Sequence, residues 1–253
     1  MPAPRIAFLT RYPVKGLSPE PLDRVTLTAQ AHFPGDRLFA IENGPSGFDA
    51  SAPVHQPKFK FMVLMRMPAL ARIAARYDAA TGVLSLACDG ERVSGDINTT
   101  EGRASLEGWL GVRYAAELRG APRILTAPAG FRFMDSRSGF VSLLNFASLR
   151  SLAAKMGRKD IDPVRFRANI GIDGLPPWGE FDLVGKELTI GGARLRVLKR
   201  IERCAATHAD PVKGLRDLDI VGALLREFGH TDCGIYAEVL EGGDIAVGDT
   251  VET

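Results

Sequence analysis

Arg165-Phe166-Arg167-Ala168-Asn169-Ile170 alternates polar and apolar side chains with a period of two, the spacing of a β-strand that buries one face. Read as part of a strand over Arg165–Ile172, it sends Arg165, Arg167 and Asn169 to one face and Phe166, Ala168 and Ile170 to the other. Two guanidiniums and an amide on one face suit a planar, multiply anionic ligand, since arginine forks bind phosphate and carboxylate bidentately and an amide both donates and accepts. A solvated face paired with nearby acids is the alternative, and the pattern leaves it open.

Outward from this stretch the chain is punctuated into short apolar runs. Strands are expected near Ile6–Tyr12, Leu22–Thr28, Arg37–Glu42, Phe59–Met65, Val83–Cys88, Arg92–Asp96 and Arg113–Leu118, and later at Glu187–Ile190, Ala193–Cys204, Gly234–Leu240 and Asp244–Glu252. Helices are expected at Pro68–Tyr77, at Thr99–Leu110 after a capping Asn98, at Asn145–Met156, and near Leu215–Phe228. The fold class that follows is α+β and β-rich, with a few short helices. The small-residue loop Thr126–Gly139 reads as a seam near the junction of two expected units, residues 1–120 and 121–253.

The 253 residues, 45% hydrophobic and 25% charged, suffice for a sizeable core and exclude a disordered or fibrous chain. With 32 basic and 30 acidic side chains the net charge is +2, too small for nucleic-acid binding by bulk attraction, so any anion must be held locally. No apolar run approaches membrane-spanning length, and no targeting segment is visible; a cytoplasmic protein with no membrane partner is expected. Three cysteines without a C-x-x-C exclude a disulfide framework and a cysteine-only metal cluster.

Cys204 stands out among the three. It ends the long expected strand within Lys199-Arg200-Ile201-Glu202-Arg203-Cys204-Ala205-Ala206-Thr207-His208-Ala209-Asp210-Pro211, where cationic neighbours favour a thiolate, at once a nucleophile and a soft metal ligand. A buried, inert cysteine is the alternative. A zinc site built from Cys204 and His208 with His230 and Cys233, and a Cys–His nucleophilic pair, are further possibilities with weak spacing signals. Cys88 and Cys233 read as packing residues. Lys15, in the turn Tyr12-Pro13-Val14-Lys15-Gly16, can approach a phosphate, and the hydroxyls and N–H groups of Phe133–Ser142, Ser138 included, can cradle an anion near a helix start.

Taken in order, these segments resemble the MOSC family, named for the C-terminal part of molybdenum cofactor sulfurase. Tyr12–Gly16 and Asp36-Arg37 look like motifs of the N-terminal β-barrel module that precedes MOSC in one branch. Arg165–Ile170, Arg203–Thr207 with Asp210-Pro211, and Gly242-Gly243-Asp244-Ile245-Ala246-Val247-Gly248-Asp249 look like the MOSC β-barrel itself. The resemblance implies a molybdenum cofactor (molybdopterin) and, in the branch of the amidoxime-reducing component, reduction of N-hydroxylated small molecules. It places Cys204 as molybdenum ligand and catalytic residue, and Lys15, Arg37, Arg167, Asn169 and Arg203 on the pterin and its phosphate. Asp135, Ser136 and Ser142 fall in the bordering loop and strand. Gly16 stands where relatives often carry Ser and Ala168 where they often carry Pro, so one cofactor hydrogen bond and one rigid bend of the family are not expected here. These segments include neither a ferredoxin-type cluster motif nor the pyridoxal-phosphate module of the full sulfurases, so a separate electron-donor protein and no pyridoxal phosphate are expected. A sulfur carrier or transferase using a Cys204 persulfide, or a cofactor carrier without turnover, are the alternative functions.

Overall fold

The computed structural model describes residues 3–137 and 139–252; Ser138 of the anion-cradle expectation lies outside the described residues. The first half carries strands β1 (Arg5–Arg11), β2 (Glu20–Leu22), β3 (Arg24–Leu27), β4 (Phe39–Ile41), β5 (Ala74–Asp78), β6 (Val83–Cys88) and β7 (Glu91–Asp96), then helix α1 (Thr100–Arg113) and β8 (Ile124–Thr126). The second half runs β9 (Val141–Asn145), α2 (Phe146–Lys155), β10 (Ile170–Asp173), β11 (Glu187–Ile190), β12 (Ala193–Glu202), α3 (Ile220–Phe228), β13 (Asp232–Glu241), β14 (Gly243–Ala246) and β15 (Val251–Glu252).

Eight strands form one sheet in the order β15-β11-β12-β13-β9-β10-β1-β2. The sheet curls until its ends meet: Val251 N–H donates to Pro4 O at 2.8 Å, Ile6 N–H to Asp249 O at 2.9 Å and Gly248 N–H to Ile6 O at 2.9 Å. That closure pairs edge groups that would otherwise face water. Alternation fills the inside. Ala193, Leu195 and Val197 of β12 point into a core with Ile6, Leu143, Ile235 and Val251. Arg194 and Arg196 point out, each within 2.9 Å of Glu187 on β11. β9 and β10 pair in parallel, joined through α2, which packs with α3 over the barrel's outer face around Leu144, Leu152, Phe166 and Leu224. The first half gathers the β5-β6-β7 meander and α1 around Leu70, Leu86 and Leu106.

The β-rich α+β class holds, and several local expectations change. Arg165–Ile172 is not one strand: Pro163–Phe166 is a 3-10 turn, Arg167 takes the left-handed conformation at φ 52°, and only Ile170 onward is extended. Pro163 at the first turn position, under an Asp162 cap that accepts from Val164 N–H, starts a helical turn that the alternation hid. Phe59–Met65 contains no strand, only an isolated bridge at Phe61, and Pro68–Tyr77 splits into a 3-10 turn and β5. Arg113–Leu118 continues from the end of α1 rather than forming a strand, and Thr99, not Asn98, caps α1 by accepting from Gly102 N–H. α3 starts only at Ile220, behind an Asp219 cap. Asp244–Glu252 is broken at Gly248, φ 97°.

Candidate functional site

A cleft of about 680 Å³ opens between the first half and the barrel. One wall is Lys15, Gly16, Lys58, Val63 and Leu64; the other is Lys199 to Cys204 at the end of β12, with Asp232 and Tyr236 of β13. Arg37, Phe133 to Ser136, Ser142, Arg165 to Arg167, Ala206 and Thr207 also line it.

The inner cations are held by their own scaffold. Lys15 is fixed where its N–H donates to Phe39 O at 2.8 Å, and its ammonium donates to Phe133 O at 2.9 Å and to the Asp135 carboxylate. Burial pulls the Lys15 ammonium below its ordinary range, and Asp135 opposes that fall. Burial would raise Asp135, but Lys15 beside it holds the carboxyl down at about 2. Tyr12, 1% exposed, places its ring under two guanidiniums, with Arg37 at 4.7 Å and Arg167 at 4.2 Å from the ring centroid. Burial lifts the Tyr12 phenol to about 12.

Buried Asp36 ties this group together, accepting from Tyr12 N–H at 2.7 Å and from the Arg37 guanidinium. Burial works against the charge on Arg37, yet Asp36 raises it overall. Arg37 Nη2 donates to Arg167 O at 2.9 Å and Arg167 Nη1 to Leu17 O at 2.7 Å. Among the described residues Arg167 forms no ion pair; burial, then repulsion from Arg37, lowers it to about 10. Arg203 donates to Cys233 O at 2.6 Å and Phe166 O at 2.7 Å, and burial lowers it too. Arg167 Nη2 and Arg203 Nη2 are buried without a hydrogen-bond partner among the described residues.

Cys204 is half-buried at the end of β12, its carbonyl accepting from Thr207 N–H and Oγ1 at 3.0 Å, while Cys88 and Cys233 are buried in cores. No group of three or more metal-ligating side chains occurs among the described residues, which removes the zinc reading of Cys204, His208, His230 and Cys233.

The strand face expected to carry Arg165, Arg167 and Asn169 does not form, although both arginines reach the cleft. Arg165 is buried and turned to the loop after Cys204, pairing with Asp217 at 2.8 Å and Asp210 at 3.6 Å and donating to His208 O at 3.2 Å. Asn169 is fully buried behind the cleft. Its Oδ1 accepts from Ser142 Oγ at 2.8 Å and its Nδ2 donates to Thr10 O at 3.2 Å, clasping β9 to β1. Thus Lys15, Arg37, Asp135, Ser136, Ser142, Arg167, Arg203 and Cys204 line one cleft, and Asn169 supports Ser142 from outside it. Sequence reasoning missed Tyr12 as the platform and Tyr236, Lys58 and Lys199 as lining. Tyr12 lay inside a quoted motif, but its role depends on two arginines that only the fold brings to it.

Two family models match: the MOSC N-terminal beta barrel domain over residues 3–116 and the MOSC domain over residues 132–252. The chain belongs to the MOSC family. No curated protein matches it significantly. Among solved structures it is similar to the YUAD protein from Bacillus subtilis at 13% identity, over 99% of this chain and 94% of that one, with a TM-score of 0.47. It is also similar to YiiM from Geobacillus stearothermophilus at 17% identity, over 51% of this chain and 65% of that one, with a TM-score of 0.36.

MOSC domains are associated in general with molybdenum-cofactor binding, and the residues present fit such a group. Buried guanidinium donors without partners cost about 1–3 kcal/mol each, a cost that a phosphorylated, acceptor-rich pterin would remove. The family-relative serine does not fit at Gly16: φ is +85° and an added Cβ would stand 2.7 Å from Met62 O. Among the described residues no helix is long and apolar enough to cross a membrane.

Proposed function

We propose that this MOSC protein binds the molybdenum cofactor in the cleft and works as an oxidoreductase on N-hydroxylated or related N-oxygenated small molecules. What carries the reading is the convergence of Lys15, Arg37, Arg167 and Arg203 on one cleft with the half-buried Cys204, two of the guanidiniums retaining unpartnered donors. In this reading Arg167, Arg203 and Lys15 hold the phosphate and pterin edge, Tyr12 and Asp36 hold Arg37 and Arg167 in place, and Cys204 presents its sulfur as metal ligand. Asp135 and Ser136 border the group, with Ser142 backed by Asn169. When bound, the cofactor supplies two-electron redox chemistry at molybdenum. Cys88 and Cys233 are buried in separate cores, so these cysteines offer no iron–sulfur cluster, and the reading takes its electrons from a separate donor protein in the cytoplasm. Residues 1–120 and 121–253 act as two modules that share the cleft.

The test is co-expression with active cofactor synthesis, followed by metal analysis of wild type and Cys204→Ala matched for folding by circular dichroism. Wild type should retain molybdenum and, with an electron donor, reduce benzamidoxime; Cys204→Ala should lose both. Wild-type protein that never retains molybdenum above the variant overturns the reading.

A further inference from the structure

The outer part of the cleft is polarised. Lys58 stands on one wall and Lys199 on the other, and neither has an ion-pair partner among the described residues. Both lysines line the cleft that also holds Asp135 and Tyr236. The Lys58 charge reaches Asp135, and the Lys199 ammonium lies 5.9 Å from the ring of Tyr236, whose own phenol, raised by burial, feels Arg203 and Arg37. Further along the barrel wall Glu202 is paired in register with Asp232, next to Arg203 and Cys204, and neither carboxylate has an ion-pair partner among the described residues. Lys199 pairs with Tyr236 and Glu202 with Asp232, so a three-residue step along β12, about 10 Å of strand, separates the cationic end from the acidic end. Arg200 is set aside from the cationic end, its guanidinium stacked 4.2 Å from Phe181.

Unpaired charges inside a walled cleft select ligands of matching sign, because low-dielectric walls focus their fields. We propose that the cleft takes a bipolar small molecule: a carboxylate or phosphate held between Lys58 and Lys199, with the reacting nitrogen end turned toward Glu202, Asp232 and Cys204. This rests on the reading of the cleft as the substrate site, and it adds the substrate's charge pattern. It also gives the acids a role in release and orientation: N–O cleavage takes two electrons from the donor protein and two protons, the oxygen leaves as water, and the resulting amidine or amine is a cation that Glu202 and Asp232 would face.

The probes are 4-amidinobenzoate, benzamidine and benzoate, which undergo no redox step, titrated by calorimetry into the purified chain at low and high salt, with and without molybdenum loading. The bipolar probe should bind at least about tenfold more tightly than either single-charge probe. Lys58→Ala/Lys199→Ala should erase the advantage over benzamidine, Lys58→Glu/Lys199→Glu should invert it, and salt should weaken it. Equal binding of 4-amidinobenzoate and benzamidine, or a preference that survives the double alanine variant, overturns the proposal. Failure of the chain to retain molybdenum while the lysine-dependent preference persists would instead overturn only the cofactor reading.

Discussion

Replacing Tyr12 by leucine should separate the ring's role as a platform from its role as core filler. The side chain is 1% exposed and lies 4.7 Å and 4.2 Å from two guanidinium carbons. Desolvated cation–π contacts contribute about 1–2 kcal/mol each, so the two account for about 2–4 kcal/mol. Shrinking the ring to leucine adds about 1 kcal/mol for the space left unfilled. Tyr12→Leu should therefore lose about 3–5 kcal/mol in urea unfolding, whereas Tyr12→Phe, which keeps both contacts, should lose less than about 1.5 kcal/mol. Molybdenum retention by the folded protein should follow the same order, since Arg37 and Arg167 lose their shared support. Equal midpoints for the leucine and phenylalanine variants would refute the platform argument.

Two further outcomes follow from the same geometry. Gly16→Ser forces a Cβ into a left-handed residue against Met62 O and should cost at least about 1–2 kcal/mol, lowering the thermal midpoint by several degrees; an unchanged midpoint would show that the loop moves freely. Asp135, held at about 2 below the ordinary carboxylate value, contributes stability that is complete above about pH 4 and fades as pH falls through about 2. Wild type should thus lose stability over that window more steeply than Asp135→Asn, measured by urea midpoints at a series of pH values, and parallel curves would contradict the Lys15 pairing.

The barrel was legible wherever one strand face meets the core and the other meets water. Ala193–Glu202 shows this, its apolar residues inside and its arginines on Glu187. β9 escaped notice because all five of its residues are buried, so no alternation marks it. Alternation misled at Arg165–Ile170, where polar and apolar residues do alternate but Pro163 and the left-handed Arg167 turn the chain.

The sequence by itself determined the class of the fold, the burial of Cys88 and Cys233, and the candidate cations and sulfur, because composition, turn residues and ordered motifs are local properties. Only the tertiary structure decided which of the arginines that line the cleft are already held by carboxylates. Arg165 finds Asp210 and Asp217 and becomes part of the loop's support, its Nε alone left without a partner, whereas among the described residues Arg167 and Arg203 form no ion pair and keep unpartnered Nη2 donors. A guanidinium's role is set by the acceptors within about 3 Å of it, and those acceptors come from segments far away in the chain.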